Sequence, residues 1–162
     1  LDYSAQRQIP VVVCTTGLSE EQLAKIEETS KKVAVLKSAN MSLGINTLMK
    51  LIQDAARVLA TAGFDMEIVE RHHKLKLDAP SGTARSLADI VDANMDVKTD
   101  IQSVRCGEIP GIHTIGFEGL NDRITLTHEA FSREGFAAGA VEAALRTEGL
   151  EGVHEFKELL LK

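Results

Sequence analysis

Residues 67–84 read EIVERHHKLKLDAPSGTA and gather proton donors, cations and a helix start on one short stretch. Histidine titrates near neutral pH and can deliver a proton, so His72 and His73 are candidates for acid–base work. Lys76 follows four residues after His72 and can neutralise a carboxylate as a point charge. Then comes Ser81-Gly82-Thr83, a serine cap with glycine in the first helical turn. Such an end exposes backbone N–H groups, carries the positive end of the helix dipole, and suits a carboxylate or phosphate. Glycine lets the ligand approach the backbone closely. Pro80 fixes the path into the helix, and Asp78 can hold the turn by hydrogen bonding to it.

Taken singly, these features have ordinary structural meanings: Pro-Ser-Gly-Thr is a good helix start, and a lone histidine is commonly structural. Taken together, they describe a site for a small polyanion that gains a proton. One condition applies to the histidines. Neighbours on an extended segment point to opposite faces, so both serve one ligand only if the strand ends there. A metal site is not indicated. The adjacent histidines lack the i, i+4 spacing of a helical zinc motif, and no carboxylate or thiol lies at ligand spacing. A histidine-based metal hydrolase is therefore disfavoured.

These side chains must be positioned by a chain of 162 residues, enough for one domain or two small lobes. Hydrophobic residues make up 44% and charged residues 26%, as in a globular protein, and the net charge is −6. That balance argues against a nucleic-acid footprint but not against an anionic substrate held by a few local cations. Cys14 and Cys106 are far apart, so no zinc or disulfide framework is indicated and a reduced, cytoplasmic setting is expected. No apolar run reaches the length of a membrane span, so no membrane partner is expected.

Residues 1–8 read as the end of a helix entering a strand at 9–14, as if the chain begins in the middle of a fold. The unbroken apolar run at 9–13 suits a parallel strand buried on both faces. Ser19 and Gln22 have capping-box spacing for a helix to about residue 31. A second buried strand is expected at 33–36, then a loop at 38–42 with Ser42 capping the next helix. In that helix Ile45, Leu48, Met49, Ile52, Ala55, Ala56 and Leu59 share one face, and it ends near Gly63. Strand, loop, helix, repeated, is the rhythm of a parallel α/β sheet, whose ligands bind beyond the carboxyl ends of the strands. The loops at 14–17 and 38–41 are thus ligand-binding candidates, although small polar residues also simply make good turns. Beyond Gly63 the order loosens: a strand at 66–71, a helix after Ser81, a weakly patterned region at 92–111, strands at 114–117 and 123–128, a helix at 135–146, and a short terminal helix carrying Phe156, Leu159 and Leu160. This favours an α+β lobe with a largely antiparallel sheet.

The run from Glu67 to Ala84 resembles the dihydrodipicolinate reductase (4-hydroxy-tetrahydrodipicolinate reductase) pattern E-x-x-E-x-H-H-x-x-K-x-D-A-P-S-G-T-A, and fits it throughout. Thr15-Thr16-Gly17 is similar to the family's G-T-T-G loop, and residues 38–46 to its A-x-N-F-S-x-G-V-N segment. Residues 111–115 and 127–137 are similar to its carboxyl-terminal elements. The resemblance implies a Rossmann-type parallel sheet, here only its carboxyl-terminal part (1–63), then a mixed substrate-binding and oligomerisation domain (64–146) and a segment docking on the first (147–162). It implies reduction of a cyclic unsaturated imine dicarboxylate by NADH or NADPH in the diaminopimelate route to lysine, by a cytoplasmic homotetramer. His72 and Lys76 would be catalytic, with Lys76 assisting protonation or binding substrate; His73, Ser81, Gly82 and Thr83 would hold the substrate. Cys14, Thr15 and Thr16 with Ser38, Ala39, Asn40 and Met41 would line the nicotinamide end of the cofactor.

Three departures stand out. The family's G-x-x-G-x-x-G phosphate loop is absent, so the chain is expected to lack most of the cofactor domain and, alone, to bind nucleotide poorly. Truncation, proteolysis or omission of disordered residues would each produce that. Cys14 stands at the first glycine of the G-T-T-G loop, which would be strained if φ there were positive. The region at 101–125 lacks the family's R-G-G and G-E-H elements. The alternative is a non-catalytic, oligomerising fragment that retains a dicarboxylate pocket.

Overall fold

Three consecutive β-branched residues nucleate the first sheet. The computed structural model, which describes residues 1–160, places β1 at Val11–Val13, shorter than the apolar run because Pro10 has no N–H to donate. Before it, α1 (Asp2–Arg7) ends on Gln8 in the left-handed region. After it, α2 (Glu20–Ser30) carries the expected capping box: Ser19 N–H donates to Gln22 Oε1 at 2.9 Å and Gln22 N–H to Ser19 Oγ at 3.3 Å. β2 (Val35–Lys37) lies beside β1, and β7 (Val153–His154) beside β2, all parallel, with Val12 opposite Leu36 and Leu36 opposite His154. A two-residue strand carries no periodicity, which is why β7 has no trace in the sequence pattern. Leu36, Met41, Ala143, Phe156 and Leu159 form the core under this sheet, joining β2 to α5 (Glu134–Leu145) and α6 (Phe156–Leu159). Phe156 and Leu159, two of the three residues expected at helical spacing, are buried in that core.

The long helix α3 (Leu43–Leu59) buries Ile45, Leu48, Met49, Ile52, Ala56 and Leu59, the expected stripe. Ser42 caps it, its Oγ accepting the Ile45 N–H at 3.3 Å. A 3₁₀ turn and Gly63 at φ 74° end it.

The second sheet is mixed, in the order β4-β3-β5-β6. β3 (Asp65–His72) alternates, with Met66, Ile68, Glu70 and His72 inward. α4 (Gly82–Met95) packs against β3 and β4 through an apolar face of Ala84, Leu87, Ala88, Val91 and Met95. β5 (Gly111–Glu118) and β6 (Arg123–Ala130) run antiparallel, as expected. β4 (Ile101–Arg105) lies in the region with no readable pattern, and it pairs parallel to β3. Its residues are exposed or half-buried, so no hydrophobic period marks it.

The chain packs as two compact units, Leu1–Asn46 with the segment from Glu134 on, and Thr47–Arg133. These packing limits differ from the expected 63 and 146: most of α3 goes with the second unit and α5 with the first.

Candidate functional site

The inward face of β3 carries an oddity: after Met66 and Ile68, the next inward residues are Glu70 and His72. Glu70 is fully buried. A carboxylate there survives only with partners, and it has four. Arg105 grips it in bidentate fashion, Nη1 to Oε2 and Nη2 to Oε1, both at 2.8 Å. The Ser81 backbone N–H donates to Oε1 at 3.1 Å, and His72 Nδ1 lies 2.5 Å from Oε2. Burial alone would raise the Glu70 carboxyl, but hydrogen bonds from Arg105, Ser103, His72 and the Ser81 backbone outweigh it and hold the pKa at about 2. A carboxylate only accepts, so His72 carries its proton on Nδ1, and Nε2 is the nitrogen that gains and loses a proton.

Pairing register builds the rest. Ser103, Glu70, His113 and His128 stand opposite one another across β4, β3, β5 and β6. His113 is buried, its ring edge-on to His72 with centroids 5.2 Å apart. Its Nε2 lies 3.2 Å from Ser81 Oγ, which also accepts the Ala84 N–H at 3.1 Å as the cap of α4. Burial, helped by the charges of His72, His128 and Lys76, pushes the His113 imidazole down to about 4. Burial also lowers His128. For His72, burial lowers the pKa, Glu70 pulls it back up, and Lys76 and Arg105 push it down again. The strand end and the helix start are thus one hydrogen-bonded assembly around Glu70.

Of the residues the sequence singled out, His72 and Ser81 meet through Glu70. β3 ends at His72, so the condition on the adjacent histidines is met, and His73 follows half-buried with its N–H bonded to Ile109 O at 2.8 Å. Lys76 pairs with Asp78 at 2.8 Å, and its charge reaches His72. The Asp78 carboxylate serves Lys76 as well as the backbone of the turn, which is also tied by the Asp78 carbonyl accepting from Arg105 Nη2 at 2.6 Å. Gly82 is exposed at the first turn of α4 with open space at its Cα, and Thr83 beside it is half-buried.

The other predicted residues sit in the first unit. Cys14, Thr15 and Thr16 are exposed beyond β1, and Ser38 and Ala39 lie beyond β2, where the Ser38 N–H bonds to Val13 O at 3.3 Å. Asn40 staples its loop, accepting from Ser42 N–H on Oδ1 at 2.8 Å and from Asn46 Nδ2 on its carbonyl at 2.7 Å. The Met41 side chain is buried in the core, leaving only its backbone to a ligand. Cys14 has no positive φ, so cysteine at that position is unstrained.

Sequence reasoning missed Glu70, Arg105 and His113 as site residues. Glu70 was detectable as a charged residue on the inward register of an otherwise apolar alternation. Arg105 had no such mark, because β4 has no pattern.

Two family models match the chain: dihydrodipicolinate reductase, C-terminus, over residues 44–160, and dihydrodipicolinate reductase, N-terminus, over residues 1–41. The 4-hydroxy-tetrahydrodipicolinate reductase of Caldanaerobacter subterraneus is 44% identical over 98% of this chain and 70% of its own length. That of Clostridium tetani is 40% identical over 92% and 65%, and that of Aquifex aeolicus 43% over 87% and 59%. A dipicolinate-bound dihydrodipicolinate reductase from Paenisporosarcina sp. TG-14 superposes with a TM-score of 0.82 at 26% identity, over 97% of this chain and 67% of that one. The chain thus spans 59–70% of the length of these relatives.

Proposed function

The chain belongs to the dihydrodipicolinate reductase family, and we propose that it works as an NAD(P)H-dependent reductase of a cyclic imine dicarboxylate, turning 4-hydroxy-tetrahydrodipicolinate into tetrahydrodipicolinate on the way to lysine. The observation that carries this reading is the Glu70 carboxylate, which holds His72 Nδ1 and the Ser81 N–H at once. A proton donor and a carboxylate cradle are thereby fixed to each other.

The 4-hydroxyl leaves as water together with a proton from the neighbouring ring carbon, and reduction adds one hydride and one proton to the resulting unsaturated ring. The dinucleotide, when bound, supplies the hydride. His72 supplies the proton from Nε2, and its lowered pKa makes the imidazolium a stronger acid. Lys76 balances substrate charge and favours proton release from His72. The N–H groups of Gly82 and Thr83, with the dipole of α4, receive one carboxylate, and His73 flanks it. Ser81 acts by position, since its N–H and Oγ are both engaged. The loops beyond β1 and β2 follow neighbouring parallel strands and fit one end of a pyridine dinucleotide: Cys14, Thr15 and Thr16 on one, Ser38, Ala39, Asn40 and the Met41 backbone on the other. We assign residues 1–63 to that cofactor role, 64–146 to substrate binding and subunit assembly as a homotetramer in the cytoplasm, and 147–162 to docking on the first region.

The test is NAD(P)H oxidation that requires the imine, measured with a protein carrying a whole dinucleotide-binding domain. His72→Gln lowers turnover by roughly 10²-fold or more, the usual worth of a general acid, with the dinucleotide KM unchanged. Imine-independent oxidation, or turnover untouched by the substitution, contradicts the reading.

A further inference from the structure

The side of His72 away from Glu70 is closed by a residue with no side chain. Gly111 opens β5 and is buried, on the same inward alternation as His113, Ile115 and Phe117. A Cβ built on Gly111 would lie 3.1 Å from His72 Nε2, 3.5 Å from its Cδ2 and 3.9 Å from His113 Cε1. Contact that close requires the neighbour to give way, and His72 has little freedom to do so. Its carbonyl accepts the Cys106 N–H at 2.9 Å, and the next residue's N–H is bonded to Ile109 O at 2.8 Å. Its Nδ1 is 2.5 Å from a Glu70 carboxylate that Arg105 and the Ser81 N–H hold in place. The backbone at the ring's base and its Nδ1 are thus fixed, and Gly111 lies against Nε2.

We propose that Gly111 is a positioning residue for His72: glycine there lets the imidazole keep its Glu70 contact while leaving the space beside Nε2 clear. The proposal rests on His72 being the proton donor. A methyl at Gly111 would crowd the titrating nitrogen at 3.1 Å and would drive the ring off Glu70.

Imidazole ¹⁵N spectra of the chain read this directly. In the unsubstituted protein His72 is the Nδ1–H tautomer with a low-field proton shared with Glu70. Gly111→Ala removes that low-field signal and shifts the nitrogens toward the Nε2–H tautomer. Gly135→Ala, where an added Cβ meets nothing within 4 Å, leaves both unchanged. If Gly111→Ala is too unstable for spectra, it is combined with His72→Asn, whose shorter side chain vacates the ring space. The pair then folds, and Gly111→Ala lowers the midpoint by several degrees less in that background than alone. An unchanged His72 spectrum in folded Gly111→Ala overturns the proposal, and so does an equal loss of stability in both backgrounds or a pair that does not fold. Neither readout involves turnover, so failure of the reductase reading is seen separately, as absence of imine-dependent NAD(P)H oxidation.

Discussion

The two compact units solve opposite problems. The first has an apolar core under a parallel sheet, and its candidate ligand residues sit on loops built of small side chains and backbone groups. Its resolved pKa shifts, among the described residues, are those of the exposed pair Asp2 and Lys25. The second buries Glu70, His72, Ser81 and His113 beside its apolar core and shifts the titration of Glu70, His72, His113 and His128. A surface that only binds can be made of backbone and small residues. One that must hold a proton at a chosen atom needs charges taken out of water and fully partnered.

That contrast can be broken by substitution, and the largest effect belongs to Glu70. Glu70→Leu leaves the Arg105 guanidinium and the His72 N–H without their carboxylate, at a cost of about 3–5 kcal/mol in urea unfolding. Next comes acid. His113 titrates at about 4 in the folded chain and near 6.5 unfolded. Between those values the unfolded chain binds more protons, so stability is intact above pH 6.5 and is lost as pH falls toward 4, by at most about 3 kcal/mol. Glu70, at about 2, adds a further loss below its ordinary value of 4.5. His113→Phe flattens the slope of the thermal midpoint between pH 6.5 and 4; an unchanged slope would place the titration elsewhere. In the first unit the sensitive point is steric. A Cβ at Gly139 would run into the Met41 carbonyl, so Gly139→Ala costs about 2 kcal/mol, the usual range for overpacking, with no dependence on pH. At the bottom of the scale, Asp2→Asn removes an exposed ion pair and leaves the unfolding midpoint where it was.

Local rules made much of this legible in advance. The capping box at Ser19, the stripe on α3 and the cap at Ser81 all follow from contacts within a few residues, which sequence spacing encodes. The family motif located His72, Lys76 and the helix start. Arg105 and His113 were out of reach for a physical reason: they join the site through strand register, 35 residues from Glu70 and 32 from Ser81. Register depends on which strands pair, and β4 has no apolar alternation to announce that it is a strand at all. Ser81, expected to hold substrate, also joins the assembly: its N–H donates to Glu70, and its Oγ accepts from Ala84 N–H and lies 3.2 Å from His113 Nε2.

The most direct test is imine-driven oxidation of NAD(P)H by the His72→Gln protein beside the unsubstituted one, each carrying a whole dinucleotide-binding domain, over pH 5–9. A proton donor at His72 requires the unsubstituted rate to fall as pH rises through a value below the ordinary 6.5. It also requires the substituted protein to lose roughly 10²-fold or more in turnover together with that pH dependence, while dinucleotide affinity holds. Equal rates with the same pH profile in both proteins would contradict the role assigned to His72.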